Sequence, residues 1–330
     1  MEQTATINEM ACPVCGSESK RFGRHRNGLQ RYRCLASDCG KTFTEDHAPA
    51  FRIEDYLFTD QGRMAIKLLL EGTSVRSAER LTGLHRDAIL RLLVEAGKRC
   101  EALMDRLIRN VPATEVQCDE IWGYVAKKEG HKRPDEFENE TIGDAWTWVA
   151  LERRTKLVLA FAVGRRTLDK AFELTFKLRR ATSSDVRFQL TTDGLRAYRT
   201  AVDEMLSDRC DFGQLIKFYS QPIQNEARYS PARMVEAVAV PMSGDPDPAK
   251  ICTSHVERQN LTMRMQIRRL TRLTNAFSKK LENHKAAVAL HFAYYNFCRL
   301  HGTLRITPAM EAGITDRIWD VSELLGTQEC

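Results

Sequence analysis

The chain has 330 residues, of which 43% are hydrophobic and 28% are charged, and its formal net charge is +6. This length predicts two or three modules with a packed core. Apolar runs such as 157–163 fall far short of the ~18–20 residues that span a bilayer, which excludes a membrane-spanning protein. The mild basic excess is compatible with a polyanionic partner.

The first residues contain neither a basic segment nor an apolar one, so we expect no secretory signal. The chain should stay in a reducing cytosol, where its ten cysteines are thiols or metal ligands. Four of them form C-x2-C and C-x4-C pairs, and few large apolar residues lie between the pairs. This spacing predicts a zinc ribbon over residues 1–48, because bound metal would supply the missing folding energy. Four unligated thiols on a loop are the alternative. The predicted zinc ligands are Cys12, Cys15, Cys34 and Cys39.

The predicted ribbon is strongly basic, which suits contact with phosphates. A solvated charged face is the alternative. The residues expected to bind DNA here are Arg24, Arg26, Arg31 and Arg33.

Residues 60–110 have the pattern of three short helices. Gly72 stops the first helix, Thr73 or Ser74 can cap the second, and Gly83 turns the chain before a third. This pattern predicts a helix-turn-helix DNA-binding domain, with a generic helical bundle as the alternative. Base contacts are expected from the early turns of the third helix, at Arg86 and Arg91.

Residues 113–300 alternate between strand and helix patterns. Strands are predicted at 114–125, 145–151, 157–163 and 186–190, and helices at 168–178 and 195–206. This order predicts an α/β catalytic core with a mixed sheet of the ribonuclease H type. Residues 301–330 are left as a C-terminal tail.

Two aspartates fall where such a sheet positions a site. Asp119 lies inside the first strand, and Asp193 lies just beyond the fourth. Glu120 competes with Asp119, but neighbouring residues on a strand face opposite sides, so only one is expected to enter the site. The polar residues Glu115 and Gln117 share a face with Asp119, which slightly favours it.

A third acid is expected on a helix that begins near Ile251. Glu257 is the one acid between residues 255 and 280, among seven lysines and arginines. It is either a surface ion-pair partner or a metal ligand whose basic neighbours hold phosphates. The residue chemistry leaves both readings open. Arg264 and Arg268 are expected on the same side of this helix and to bind DNA.

Several segments, taken in order, resemble the insertion-sequence-one family of bacterial transposases. The match begins at the cysteine pairs and continues through the helical segment into the predicted core. The family motifs in the core are Asp119-Glu-Ile-Trp-Gly-Tyr124, Thr192-Asp-Gly194, His255-Val-Glu-Arg-Gln-Asn260 and Ala276-Phe-Ser-Lys-Lys280. The resemblance implies a ribonuclease H-like fold in which Asp119, Asp193 and Glu257 bind divalent metal, with Asn260 near the site.

The resemblance also implies a DNA transposase of the Asp-Asp-Glu type, associated with the bacterial nucleoid. Three carboxylates suit two Mg²⁺ (or Mn²⁺) ions that support DNA cleavage and strand transfer. Its partners would be double-stranded insertion-sequence ends and target DNA, and it would act as a dimer or larger homo-oligomer. Two departures stand out. The chain is continuous where the family often uses ribosomal frameshifting, and segment 212–248 looks longer than the family minimum and has no assigned role.

Two other functions fit parts of the pattern. One is a ribonuclease H-type nuclease that cuts without joining. The other is a DNA-binding regulator without enzymatic activity, against which the three spaced acids count.

Overall fold

The structure, a computed structural model, describes residues 10–25, 29–44, 53–220 and 234–326. The chain divides into two units, Met1–Arg52 and Ile53–Cys330. The first contains an antiparallel sheet in the order β1-β2-β3, with β1 Ser19–Arg24, β2 Gln30–Cys34 and β3 Thr42–Thr44. Within the described residues of this unit, the buried core consists of Cys12, Tyr32, Cys34 and Phe43. So small an apolar core cannot by itself stabilise a fold.

Four helices open the second unit: α1 Ile53–Leu57, α2 Asp60–Leu70, α3 Val75–Thr82 and α4 Arg86–Leu107. The hydroxyls of Thr59 and Ser74 cap α2 and α3, as expected for N-terminal caps. Gly83 ends α3 in the left-handed region, with φ of 74°. The three helices predicted between residues 60 and 110 are therefore present.

A six-stranded mixed sheet forms the centre of this unit. Its strands are β4 Glu115–Val125, β5 Gly143–Glu152, β6 Val158–Gly164, β7 Phe188–Asp193, β8 Cys210–Tyr219 and β9 Met234–Ser243. They lie in the order β6-β5-β4-β7-β8-β9. Strands β7 and β8 run parallel to β4, whereas β5 is antiparallel to both β4 and β6, and β9 is antiparallel to β8. The predicted mixed α/β sheet is confirmed. The segment 212–248 contributes most of β8 and all of β9.

The remaining helices are α5 Leu168–Ala181, α6 Arg196–Leu206, α7 Ser254–Gln266, α8 Leu281–Phe297, α9 Pro308–Glu311 and α10 Val321–Leu325. Helix α5 packs against α6 and β6, and α4 packs against α8. A side chain at Gly97 of α4 would place its Cβ 2.5 Å from the Cα of Ala286, so glycine permits the close approach of these helices. Helix α10 packs on α4.

The segments 60–110, 113–300 and 301–330 thus lie within one unit and share one hydrophobic core. Their division into separate functional domains stays a prediction. Within the described residues, no helix is both long and apolar enough to cross a membrane.

Candidate active site and metal centres

Three carboxylates meet where strand β7 ends beside the middle of strand β4. Cys118 of β4 pairs with Thr192 of β7, so the next residues, Asp119 and Asp193, are neighbours across the sheet. Asp193 is the last residue of β7, which continues three residues beyond the predicted strand end at Leu190. One carboxylate oxygen from each of Asp119, Asp193 and Glu120 lies within 4.8 Å of the others. Such a cluster of hard oxygen ligands fits a divalent cation.

Asp119 is held in an environment that disfavours its charge. Burial, followed by the nearby Asp193 carboxylate, raises the pKa of Asp119 to about 6. Asn260 Nδ2 donates a hydrogen bond to Asp119 Oδ2 across 2.8 Å. A cation bound between the two aspartates would relieve their mutual repulsion.

Glu120 lies within this cluster, and the expectation that it stays out is wrong. Strand alternation does direct it to the other face, where its register partner Trp148 packs edge-on against Tyr198 of α6. However, Asp193 is the last residue of β7, and its carboxylate lies close to side chains from both faces of β4, namely Asp119 and Glu120. Burial, and then the proximity of Asp193, raises the pKa of Glu120 to about 8. Within the described residues, Glu120 Oε1 is buried without a hydrogen-bond partner.

Arg166, in the loop between β6 and α5, donates hydrogen bonds to both Glu120 and Asp193. Its Nε donates to Glu120 Oε2 at 3.0 Å, and its Nη2 donates to Asp193 Oδ2 at 3.0 Å. The guanidinium also lies over the Trp146 ring, 4.9 Å from the centroid. No sequence pattern identifies Arg166 as a site residue, because nothing local to residues 165–167 indicates contact with a carboxylate 46 positions away.

A side chain of strand β4 also fixes the position of helix α7. The side-chain oxygen of buried Gln117 accepts hydrogen bonds from the backbone N–H groups of His255 and Val256, at 3.0 and 3.1 Å. These are among the N–H groups that a helix leaves unpaired at its N-terminus. Gln117 therefore fixes the start of α7 against the strand that carries Asp119. One turn of α7 separates Glu257 from Asn260.

Glu257 lies outside the three-carboxylate cluster and pairs with a lysine. Lys217 Nζ on β8 forms a hydrogen-bonded ion pair with Glu257 Oε1, and the Thr253 hydroxyl donates to the same oxygen at 2.5 Å. Burial acts against the charge of Lys217, but the Glu257 carboxylate outweighs it and raises the pKa of Lys217. No sequence pattern identifies Lys217 as a site residue, and it lies in segment 212–248, to which no role is assigned.

Of the two arginines expected beyond Glu257 on the same side of its helix, Arg264 lies in α7 and Arg268 does not. Helix α7 ends at Gln266, and Ile267 is extended, so Arg268 lies in the 3-10 turn Arg268–Leu270. The expectation that Arg268 continues the face of α7 is wrong, although its side chain is exposed. Arg264 is half-buried and donates to the Leu270 carbonyl at 3.3 Å, and burial lowers its pKa to about 10.

The four N-terminal cysteines converge, with sulfur atoms that all lie within 4.8 Å of one another. The Sγ distances are 3.9 Å from Cys12 to Cys39 and 3.4 Å from Cys15 to Cys34. Zinc–sulfur bonds of about 2.3 Å in a tetrahedron require sulfurs about 3.8 Å apart. Both sulfur distances are close to this requirement, so the cluster fits one tetrahedral metal ion.

The other arginines predicted to bind DNA lie in both units. In the first unit, the guanidinium groups of Arg31 and Arg33 lie over the ring of Phe22, at 5.5 and 5.6 Å from its centroid. Arg24 is exposed on β1, whereas Arg26 lies outside the described residues. In the second unit, Arg86 and Arg91 are exposed on the first turns of α4.

Comparison with known proteins identifies one family. Residues 247–297, which include α7 and α8, match the IS1 transposase family model. The resemblance predicted from the sequence motifs is therefore confirmed over this segment. Among curated proteins, none is similar enough in sequence to count as a match.

Solved structures with partial similarity include two of Mos1. The strand transfer complex of Mos1 is 13% identical, with 47% of this chain and 57% of the Mos1 chain covered and a TM-score of 0.20. The Mos1 transposase paired-end complex with the left transposon end is 12% identical, with coverages of 53% and 63% and a TM-score of 0.19. The similarity thus spans less than two thirds of either Mos1 chain.

Proposed function

We propose that this chain, in which residues 247–297 match the IS1 transposase family model, is a DNA transposase of the Asp-Asp-Glu type. It binds the ends of an insertion sequence, cleaves them to free 3′-hydroxyls and joins these to target DNA. The observation that carries this proposal is the proximity of Asp119, within β4, to Asp193, at the end of the adjacent parallel strand β7, with Asn260 of α7 bound to Asp119.

A ribonuclease H-like core is supported by the topology of the sheet. Three antiparallel strands, β6-β5-β4, are followed across the sheet by two strands parallel to β4, with α5 and α6 in the connections. Helix α7 then returns to pack on β4. This arrangement brings acids from residues 119, 193 and 257 to one region despite their separation in sequence.

The donor set fits Mg²⁺ or Mn²⁺, since oxygen ligands predominate and no sulfur or imidazole lies in the described cluster. Asp119 and Asp193 would hold the cation, and Glu257 would join them after exchange of its Lys217 partner. When bound, divalent cations there would activate the attacking oxygen and stabilise the leaving oxygen in phosphoryl transfer. Asn260 holds the Asp119 carboxylate in place, and Arg166 holds Glu120 beside Asp193.

DNA binding is assigned to both units. In the first, a zinc-stabilised ribbon would present its arginines to phosphates. In the second, α2, α3 and α4 have the order of a helix-turn-helix, with Arg86 and Arg91 on the helix that would enter the major groove. Two DNA ends must be held at once, so we propose a dimer or larger homo-oligomer on DNA, acting at the nucleoid.

The test is an assay of the full-length protein with Mg²⁺ and duplex DNA that carries the element's flanking repeats. Cleaved 3′ ends and joined products are measured separately. Both products are expected, and both should be lost in Asp119→Asn, Asp193→Asn and Glu257→Gln, because each amide keeps the shape but removes a ligand charge. Cleavage without joining would instead identify a nuclease, and DNA binding without either product a regulator.

Glu120→Gln is the matched comparison for Glu257→Gln. The geometry places Glu120 in the carboxylate cluster and Glu257 beside Lys217, whereas the family motif assigns the third acid to Glu257. We expect Glu257→Gln to abolish both reactions and Glu120→Gln to retain measurable cleavage. The reverse result would make Glu120 the third acid.

A further inference from the structure

A cavity of about 930 Å³ opens between the first helices of the second unit and the segment from α7 to α8. Its volume is at the upper end of the roughly 300–1,000 Å³ that is usual for small-molecule sites. The cavity shares no lining residue with the acidic cluster, so its ligand is a separate question from catalysis.

The cavity wall is strongly cationic. Five of its residues are basic, namely Arg76, Arg86, Arg268, Arg269 and Lys279, and its one acid is Asp87. Among the described residues, none of these five side chains has a carboxylate within 4.0 Å. Arg269 is partly buried, with one hydrogen bond of 3.3 Å to the Ser278 hydroxyl. A partly buried guanidinium without a counter-ion is unfavourable, and a bound anion would compensate its charge.

The cavity lining also includes apolar side chains. Leu90, Leu93 and Leu290 contribute to its lining, and so does His291, whose exposed fraction is 3%. Within the described residues, His291 Nε2 is buried without a hydrogen-bond partner, as is Gln266 Oε1, also from the lining. Neither atom is accessible to solvent, so neither contacts a ligand in the cavity.

We propose that this cavity binds a nucleotide, with the phosphate on the arginines and the base between the leucines. A planar base has an apolar face that can pack against leucine side chains. A duplex does not fit in a space of this volume, so the ligand is either a free nucleotide or an unpaired nucleotide of a DNA strand. The two sources share one chemistry and are distinguished by experiment.

The test measures binding and needs no cleavage. Fluorescence anisotropy of the full-length protein is followed with a labelled single-stranded DNA tetranucleotide, with dAMP and pyrophosphate as competitors. Calorimetry measures dAMP alone. If dAMP binds and the oligonucleotide does not, the ligand is a free nucleotide. If both bind and compete with each other, the ligand is an unpaired nucleotide of a DNA strand. Either result supports the proposal, whereas pyrophosphate competing as well as dAMP overturns it, because the base would then contribute nothing.

Two variants probe different parts of the cavity. Ala287→Phe fills the space from α8 without changing charge, and Arg269→Gln removes the partly buried cation while retaining a hydrogen-bond donor. Each should weaken dAMP binding about tenfold. Arg106→Gln is the control, since this exposed arginine of α4 is outside the cavity lining. Wild-type affinity in Arg269→Gln overturns the proposal even if Ala287→Phe fails to fold, and a loss as large in Arg106→Gln overturns it too.

Discussion

Asn260 Nδ2 donates to Asp119 Oδ2 across 2.8 Å, so the amide of one turn of α7 fixes the orientation of a carboxylate on β4. The residue that touches Asp119 is therefore the neighbour of Glu257 on the helix, and Glu257 itself is bound to Lys217. We expect Asn260→Ala to lower cleavage by about 10–100-fold, the usual effect of removing a partner that orients a metal ligand. DNA binding should be unchanged, and half-maximal cleavage should need more Mg²⁺.

The control for this prediction is Thr262→Ala on the same helix, where the hydroxyl donates to the Arg258 carbonyl. Mg²⁺ titrations of cleavage for both variants provide the measurement. An unchanged Mg²⁺ requirement in Asn260→Ala would show that Asp119 keeps its orientation without the amide.

The ion pair between Lys217 and Glu257 predicts competition between an ammonium group and a metal ion. We expect Lys217→Met to tighten Mg²⁺ binding by the DNA-free protein by up to about fivefold, since a partly exposed ion pair contributes roughly 0.2–1 kcal/mol. Calorimetric titration with Mg²⁺ measures this. Lys170→Met is the control, because Lys170 pairs with Glu173 on α5. Weaker Mg²⁺ binding in Lys217→Met would contradict the idea that the lysine competes for Glu257.

The small core of the first unit predicts that its fold depends on metal. The double change of Cys12 and Cys15 to Ser should remove about one zinc per chain, because two of the four ligands are lost. Elemental analysis of the purified protein measures the zinc content. Cys252→Ser is the control, since Cys252 lies in the second unit. Zinc retained at the wild-type level in the double variant would refute the ribbon assignment.

The regular elements of this chain were accessible from sequence because their patterns are local. The strands β4, β5 and β6 follow apolar runs separated by charged turns, and α3 follows a cap and a glycine stop. The contacts that build the site are not local. Arg166 meets Glu120, and Lys217 meets Glu257, through the order of strands in the sheet. No spacing in the sequence encodes either pair.

Two local rules also gave incomplete answers. Strand alternation correctly directs Asp119 and Glu120 to opposite faces of β4. It does not prevent the Glu120 side chain from approaching Asp193, which ends the neighbouring strand. The end of α7 at Gln266 has no glycine or proline to mark it. There Ile267 and Leu270 are buried, and that packing ends the helix before Arg268.

Histidines buried without charge predict that the protein loses stability on acidification. His284 is fully buried, its Nδ1 lies 3.2 Å from the Ser278 hydroxyl, and its Nε2 has no partner among the described residues. Burial, and then the nearby Arg269 guanidinium, lowers the pKa of His284 to about 4. Because the unfolded chain has the ordinary value near 6.5, the unfolded state binds the extra proton first. The stabilising contribution is complete above pH ~6.5 and is lost as the pH falls toward the folded-state value.

The raised pKa values of Asp119 and Glu120 act in the opposite direction, because a carboxyl that holds its proton more tightly when folded stabilises the fold at lower pH. The net slope of stability against pH therefore mixes both signs, and the difference between variant and wild type isolates the histidine. The free energy of unfolding in urea should fall less steeply between pH 6.5 and 4.5 in His284→Gln than in the wild type. Each pKa unit corresponds to about 1.4 kcal/mol. The exposed His131→Gln should leave the slope unchanged, and an unchanged slope in His284→Gln would show that His284 does not remain neutral in the fold.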